Sequence, residues 1–231
     1  MSIALLGDIH GDARTLLARA KSAAEQGATV LIQVGDFGVY KFSLDALVEA
    51  AGASPIPILF IDGNHEDYRM VGAFPTSEPK EIAPKLTYVP RGSVLYVENI
   101  RIGFLGGAGS IDYNYRTKDS DWWPDAEQIK DGEVERLLSA GEVDVLVTHT
   151  PPRSIIDRFF DTSPIKAQQA RRMFGAAPDW TDPSADKVQR AWDALNRPPL
   201  FCGHMHRTVL YENVHILNIG EMTFYSADVT E

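Results

Sequence analysis

The chain has 231 residues, of which 44% are hydrophobic, and this suits one large α/β domain with a sizeable core. Its 32 acidic and 22 basic residues give a net charge of −10, which argues against stable binding to the backbone of nucleic acids. A single cysteine, Cys202, excludes an internal disulfide framework, and no stretch approaches the ~18 apolar residues of a membrane span.

The opening of the chain predicts alternating strands and helices. Strands are predicted over residues 2–6, 29–34 and 56–61, and helices over about 13–26 and 44–51. Asp12 and Ser43 stand where the helix N-caps are expected, and Gly27 stands where the first helix should end. This βαβαβ order is typical of a parallel sheet with crossover helices. Because the first run lacks the basic region and cleavage site of a signal peptide, we expect a cytoplasmic protein.

The pattern then changes to short strands with little between them, which favours antiparallel pairing. These strands are predicted over 86–89, 94–97 and 100–105, with a tight turn at Glu98-Asn99. A helix over about 125–140 and a strand over 143–148 follow. The next stretch, to about residue 197, is helix-prone but too rich in Pro, Gly and Asp to be one regular element. Final strands are predicted over 200–202, 208–212, 214–219 and 222–227, and we expect one domain over residues 1–231.

Five of the six histidines lie in short polar motifs that follow apolar runs, together with two aspartates and an asparagine. The residues are Asp8, His10, Asp36, Asn64, His65, His149, His204 and His206. Open α/β sheets place their sites at the carboxyl ends of their strands, so these side chains should meet at one edge. Buried carboxylates there would repel each other unless divalent cations neutralised them. The sequence therefore predicts a metal site, and His215, inside a strand-like run, is predicted to be structural.

The order of these motifs resembles the calcineurin-like metallophosphoesterase superfamily from residue 8 to residue 206. The matching blocks are Gly7-Asp8-Ile9-His10, Gly35-Asp36, Gly63-Asn64-His65-Glu66, Thr148-His149 and Gly203-His204-Met205-His206. The resemblance implies an α/β fold, a four-layer αββα sandwich with two central mixed sheets. It also implies two divalent ions bridged by Asp36. One ion would be held by Asp8, His10, Asp36 and His206, and the other by Asp36, Asn64, His149 and His204.

The resemblance further implies that His65 is not a ligand but acts on the phosphate as an electrophile or general acid. Asp8 or Asp62 is the expected partner that orients it, so Asp8 is also a candidate catalytic residue. A metal-bridging hydroxide would attack phosphorus in line. Mixed imidazole and carboxylate ligands favour Mn, Fe, Zn or Co and leave the choice among them open.

The expected function is hydrolysis of phosphodiester bonds in small nucleotides, such as cyclic nucleotides. A phosphomonoesterase or a diadenosine-polyphosphate hydrolase is the alternative. A non-catalytic metal-binding scaffold is less expected, since a scaffold would not need His65. The second block lacks the Asp-Arg pair of the superfamily's protein Ser/Thr phosphatases, so phosphoproteins are not expected as substrates. The oligomeric state stays open.

Two segments are candidates for substrate recognition. Residues 106–123 contain Tyr115, Arg116 and Trp122, and aromatic rings beside an arginine can stack a base and clamp a phosphate. These rings could equally cover the sheet edge. Residues 153–172 begin with Arg153 and could form a rim, or their basic residues could be a solvated face. Arg69 follows the third block closely enough to be a candidate phosphate ligand.

Overall fold

The computed structural model describes residues 2–74 and 76–226. In this part of the chain, twelve strands and seven α-helices alternate. The strands are β1 Ser2–Leu6, β2 Ala28–Gln33, β3 Ile58–Phe60, β4 Lys80–Ala83, β5 Leu86–Tyr88, β6 Ser93–Val97, β7 Ile100–Leu105, β8 Val145–Thr148, β9 Leu200–Cys202, β10 Val209–Tyr211, β11 Val214–Ile216 and β12 Met222–Tyr225. The helices are α1 Ala13–Glu25, α2 Leu44–Gly52, α3 Tyr68–Val71, α4 Asp131–Ser139, α5 Arg153–Phe159, α6 Pro164–Met173 and α7 Pro183–Ala194.

The strands form two mixed six-stranded sheets with the same plan. The first has the order β12-β1-β2-β3-β5-β4, and the second has the order β10-β11-β9-β8-β7-β6. In each sheet the four central strands run parallel, and one antiparallel strand lies at each edge. The predicted combination of mixed sheets is confirmed.

Successive side chains along the central strands pack on opposite faces of the sheet. On β1, Ile3 and Leu5 pack between the two sheets, whereas Ala4 and Leu6 pack with the residues under α1 and α2. On β8, Val147 faces the space between the sheets and Leu146 packs with the residues of α4 and α7. Both faces of each sheet are therefore covered, which explains why these strands are almost wholly apolar in sequence. The result is the expected four-layer αββα sandwich.

Local signals predicted the starts of the first two helices correctly, but the cap expected at Ser43 and the start expected near residue 125 were wrong. Asp12 caps α1 by accepting the N–H groups of Arg14 and Thr15. Ser43 occupies the N-cap position of α2 without capping it, because its hydroxyl donates to the carbonyl of Gly38 instead. The helix expected from residue 125 begins at Asp131, since the Glu133 carboxylate accepts the N–H of Lys130 and starts the helix there.

The prediction of antiparallel pairing in the middle of the chain was right for one pair only. β6 and β7 form a hairpin across Glu98 and Asn99, whose φ angles of 52° and 65° are those of a tight two-residue turn. β5, however, lies in the other sheet, parallel to β3 and antiparallel to β4. β4 was not predicted, because this edge strand is mostly exposed and lacks a clear apolar pattern.

The later part of the chain follows the predicted outline. The irregular stretch after β8 contains α5, α6 and α7 rather than one long helix. The last predicted strand runs over Met222–Tyr225, while Ala227 lies outside the described residues. Within residues 2–74 and 76–226, no helix combines the length and the apolar character needed to cross a lipid bilayer.

Candidate metal centre

The polar motifs follow five parallel strands, and both sheets contribute to them. Asp8 and His10 follow β1, Asp36 follows β2, and Asn64 and His65 follow β3. His149 follows β8 in the second sheet, and His204 and His206 follow β9. The carboxyl ends of these strands meet at one edge of the sandwich. The fold thus brings together residues that are far apart in sequence, as expected for a site in an open α/β sheet.

Four of these side chains form one tight group. Asp8, His10, Asp36 and His206 each offer one ligand atom, and these atoms all lie within 4.8 Å of one another. The Nε2 atom of His206 lies 3.2 Å from Oδ2 of Asp8 and 3.0 Å from Nε2 of His10. Two carboxylates and two imidazoles therefore converge as the sequence predicted for the first ion.

A second group lies on the other side of Asp36. Nε2 of His149 is 3.2 Å from Oδ1 of Asp36 and 3.2 Å from Oδ1 of Asn64. The ring of His204 packs against that of His149, with 5.1 Å between the ring centroids. Asp36 thus stands between the two groups, in the position expected of a bridging residue.

The orientation of His149 leaves acceptor atoms facing one another. Its Nδ1 lies 3.0 Å from the carbonyl oxygen of Val34, so a neutral ring donates there and turns the Nε2 lone pair toward Asp36 and Asn64. Three acceptors in one buried place repel each other unless a proton or a cation lies between them. In the absence of a cation, a proton on His149 serves this purpose. Burial lowers the pKa of His149, but the adjacent Asp36 carboxylate raises it to about 10.

The remaining charges in the centre suit cation binding. Burial and the neighbouring His149 hold the pKa of His204 well below its usual value, which keeps this imidazole neutral. The hydrogen bond to Asp8 raises the pKa of His206. Burial alone would raise the pKa of Asp36, but attraction to His149 holds it well below its usual range.

The donor atoms fit a divalent metal ion. Oδ2 of Asp36 is buried and has no hydrogen-bond partner, which is costly for a carboxylate oxygen. The Nε2 atoms of His10 and His206 face each other, so a cation can accept both lone pairs. A mixture of carboxylate oxygen and imidazole nitrogen is a donor set that suits transition metals.

Four of the eleven non-glycine residues with positive φ in the described part of the chain belong to this centre. His10, Asp36, His204 and His206 have φ angles of 46°, 51°, 67° and 48°, in the left-handed region that residues with a Cβ rarely adopt. Such conformations cost about 1–3 kcal/mol each and cluster at functional sites. Two glycines permit the close approach: a Cβ on Gly63 would overlap Oδ1 of Asp36, and a Cβ on Gly203 would overlap Oδ1 of Asp8.

Glu66 supports the centre in a way that sequence reasoning missed. Its buried carboxylate accepts the N–H groups of Phe37, Gly38 and Val39 at 2.8, 3.0 and 2.6 Å. These three donors directly follow Asp36, so Glu66 fixes the loop that carries the shared carboxylate. The sequence signal for this role was the position of Glu66 as the fourth residue of the Gly63-Asn64-His65-Glu66 block.

A second missed support orients Asn64. Its Nδ2 donates to Oγ of Ser110 at 3.1 Å, and the Ser110 hydroxyl in turn donates to the carboxylate of Glu127 at 2.9 Å. This chain of hydrogen bonds leaves Oδ1 of Asn64 facing His149. No local pattern in the sequence marks Ser110 or Glu127, which belong to loops between β7 and α4.

His65 lies beside the two groups rather than inside them. Its backbone N–H donates to Oδ1 of Asp36 at 2.8 Å, and its Nε2 lies 2.6 Å from Nη2 of Arg116. Burial lowers the pKa of His65 and the Arg116 cation lowers it further, against the opposing attraction of Asp36.

The carboxylates predicted to orient His65 are held elsewhere. Asp62 pairs with Arg91 at 2.5 Å and accepts the hydroxyl of Tyr68, so this expectation was wrong. Asp8 accepts the backbone N–H of His204 and pairs with His206. The Arg116 guanidinium contacts the His65 ring, and the His10 ring packs edge-on against it with 5.2 Å between the ring centroids.

The predicted substrate residues separate into groups. Arg116 contacts the site: Nη1 donates to Oγ of Ser110 at 3.2 Å and to the carbonyl of Asn64 at 3.3 Å. Trp122 donates to Glu127 instead, and Tyr115 is 69% exposed. Arg153 pairs with Asp186 and lines a cavity beside His204 and His206.

Two other residues are engaged elsewhere. Arg69, a predicted phosphate ligand, has a side chain that is 65% exposed and pairs with Asp67 at 2.6 Å. His215 lies in β11 with its ring 4.7 Å from that of Phe201, in agreement with a structural role.

Comparisons with known proteins agree with this geometry. The sequence model of the family described as calcineurin-like phosphoesterase matches residues 1–208. One crystal structure is similar with a TM-score of 0.59 and 13% identity, over 96% of this chain and 93% of that chain. The crystal structure of TT1561 of Thermus thermophilus has a TM-score of 0.52 and 13% identity, over 95% of this chain and 89% of that chain. At this identity the likeness shows the fold alone. No curated protein sequence matches.

Proposed function

The chain belongs to the calcineurin-like phosphoesterase family, and on that premise we propose that it hydrolyses esters of small phosphorylated molecules at the edge where the carboxyl ends of the central strands meet. The observation that carries the proposal is the convergence of Asp8, His10, Asp36 and His206 within 4.8 Å. This group fits a cation, and it stands beside His65 and Arg116, which are not part of it.

We propose two divalent ions, with Asp36 shared between them. Asp8, His10 and His206 complete one site, and Asn64, His149 and His204 complete the other. When bound, such ions lower the pKa of water to supply a nucleophile and neutralise charge on the phosphoryl oxygens. The nitrogen-rich donor set supports Mn, Fe, Zn or Co. Asp8 serves as a ligand in this proposal and not as the partner of His65.

His65 and Arg116 act on the phosphate itself in this proposal. The guanidinium of Arg116 is held by Asp112 at 3.0 Å and by Ser110, so it presents a fixed cation to a phosphoryl oxygen. The lowered pKa of His65 keeps its ring neutral near pH 7, and a neutral ring still has one N–H to donate to a phosphoryl or leaving oxygen. Both groups would stabilise the negative charge that develops during displacement.

Phosphodiesters of small nucleotides, including cyclic nucleotides, are the proposed substrates. Arg116 already shares its charge with Asp112, and a diester brings one negative charge where a monoester brings nearly two. The single negative charge of a diester matches the partly neutralised Arg116 better than the higher charge of a monoester or a polyphosphate. This match favours a diesterase over a phosphomonoesterase or a diadenosine-polyphosphate hydrolase. The intact His65 and the Arg116 contact favour an enzyme over a non-catalytic scaffold.

We also propose that residues 1–231 act as one domain. Both sheets contribute to the same inter-sheet core, and both carry residues of the metal centre. The cysteine Cys202 is buried and unpaired, which supports the expected cytoplasmic setting.

The test is a panel of para-nitrophenyl monoesters and diesters with Mn²⁺, with chelator-treated protein as the control. We expect hydrolysis that depends on the metal and is faster for diesters. Preference for monoesters would overturn the choice of substrate. Absence of hydrolysis with Mn²⁺, Fe²⁺, Zn²⁺ and Co²⁺ alike would overturn the enzymatic proposal and favour a scaffold.

A further inference from the structure

A cavity of about 330 Å³ opens directly beside the metal centre. His204, Met205 and His206 form part of its wall, and the rest comes from the loop after β7, from α5 and α6 with the residues that follow them, and from the segment before α7. Much of the lining is apolar, and its larger apolar side chains are Ile111, Ile156, Phe160, Phe174, Trp180 and Met205. The volume lies at the lower end of the range for small-molecule pockets, which is about 300–1,000 Å³.

The charged groups in the wall already have partners. Arg153 pairs with Asp186 at 2.8 Å, and Arg171 pairs with Asp161 at 2.5 Å. Asp182 accepts the hydroxyl of Thr150 at 2.8 Å together with two backbone N–H groups. The wall holds three aspartates, Asp112, Asp161 and Asp182, against these two arginines, so its charge balance disfavours a second phosphate. Polyphosphate substrates therefore fit this wall badly.

The aromatic side chains of the wall are incompletely covered. Phe174 is 46% exposed, and Trp180 and Phe160 are only partly buried. Aromatic rings that remain in contact with water beside a polar site gain free energy when a ligand covers them. The cavity and the metal centre share His204 and His206, so a group attached to a phosphate at the centre can enter the cavity without a long spacer.

We propose that this cavity binds a planar aromatic group carried by the substrate phosphate, and that it selects esters with one phosphate and an aromatic substituent. The inference rests on the proposed function, because the phosphate itself is placed at the metal centre. It narrows the substrate class to compounds whose ring has the size of a phenyl group or a nucleobase. Small alkyl esters should bind more weakly, because they leave the apolar wall uncovered.

Binding of non-hydrolysable phosphonates tests this inference without relying on turnover. Phenylphosphonate and methylphosphonate are titrated into Mn²⁺-loaded protein by calorimetry. We expect phenylphosphonate to bind at least about tenfold more tightly, since it buries a ring in the cavity. Non-hydrolysable phosphonate analogues of AMP and of ribose 5-phosphate are compared in the same way: an added gain in affinity from the base points to nucleotides, and its absence points to simpler aryl esters.

Variants locate the effect in the cavity. Ala170 lines the cavity on α6, so Ala170→Phe should fill it and bring the two phosphonate affinities within about twofold of each other. Gln169→Phe places the same ring on the exposed side of the same helix and should leave the preference unchanged. Phe174→Ala removes part of the wall from a half-exposed position and should weaken the preference about threefold without affecting folding.

The outcomes separate this inference from the proposed function. Equal affinities for the two phosphonates, or a preference that survives in Ala170→Phe, would overturn the aromatic cavity even if the protein hydrolyses phosphate esters. A preference that disappears in Ala170→Phe, in a protein that hydrolyses nothing, would support the cavity and overturn the enzymatic proposal.

Discussion

The Nδ2 atom of Asn64 donates to Oγ of Ser110 over 3.1 Å, and this bond turns Oδ1 of Asn64 toward His149. An amide can present either its oxygen or its nitrogen, and only the oxygen can bind a cation. Ser110, held in place by Glu127, therefore selects the face of Asn64 that the metal centre needs.

Ser110→Ala should lower the affinity for metal. Without the hydroxyl, the Asn64 amide loses the partner that orients it, and the loss of such a supporting bond typically costs about 10–100-fold in metal affinity. Calorimetric titration with Mn²⁺ measures the change. Ser120→Ala, at an exposed position of the same loop region, is the matched control. An unchanged affinity in Ser110→Ala would show that the amide is oriented by other means.

Asp36→Asn should abolish metal binding at both proposed sites. The substitution removes the negative charge that the two groups share and replaces a carboxylate oxygen, Oδ2, that is buried without a hydrogen-bond partner. Metal content after dialysis, and the rise of Tm on adding Mn²⁺, report the loss. Asp45→Asn on the exposed surface of α2 should retain both responses. Retention of two ions by Asp36→Asn would exclude its bridging role.

His65→Ala should leave the metal content unchanged and reduce kcat by about 10²–10³-fold, the usual contribution of one preorganised hydrogen-bond donor to the developing negative charge. The reason is that the ring lies beside the ligand groups and contacts Arg116, while only its backbone N–H reaches Asp36. Metal analysis and steady-state hydrolysis of a para-nitrophenyl diester are the measurements. Turnover that survives the substitution would remove His65 from the mechanism.

Glu66→Gln should destabilise the protein by about 1–3 kcal/mol, the cost of burying an unsatisfied polar group. The carboxylate accepts three backbone N–H groups after Asp36, and the amide of glutamine would place a donor against one or more of them. Urea unfolding of the metal-free protein gives the change in the free energy of unfolding. Glu49→Gln on the exposed face of α2 should change it little. A neutral result for Glu66→Gln would mean that the loop holds its shape unaided.

Metal binding should release a proton, and the affinity should rise with pH. Burial lowers the pKa of His149, but Asp36 raises it to about 10, so the metal-free protein holds a proton there at pH 7. A cation needs the neutral ring, so each unit of increase in pH below 10 should raise the affinity by about tenfold for each proton displaced. Calorimetry in buffers of different ionisation enthalpy counts the released protons. A pH-independent affinity would contradict the protonated state.

The raised pKa of His149 also affects the stability of the metal-free protein. The pKa of His149 is higher in the folded state than its usual value of 6.5, so protonation stabilises the fold. This contribution is fully present below pH 6.5 and is lost as the pH rises toward 10. Urea unfolding of wild-type protein and of His149→Gln across this window should differ in slope. Parallel curves would mean that the His149–Asp36 pair does not contribute.

Much of the fold was predictable because the apolar pattern of many segments agrees with their burial in the folded protein. The apolar runs at β1, β2 and β8 are buried on both faces, and a run of that kind fits a central parallel strand wherever it occurs. The failures lie where the local signal is weak. β4 is an edge strand without a buried residue, and β5 pairs with β3 and β4 whereas the next strand, β6, lies in the other sheet.

The sequence by itself determined which polar residues follow the central strands and meet at one edge of the sandwich. A strand end and a two-residue spacing are local properties, and they were enough to select the residues that the fold brings together. Only the tertiary structure decided how these residues are held. Four supporting residues form hydrogen bonds with other loops of the centre: Glu66, Ser110, Arg116 and Glu127. No local pattern distinguishes Ser110 and Glu127 from other polar residues of the same types. The aromatic cavity beside His204 and His206 likewise exists only because α5 and α6 close over that edge.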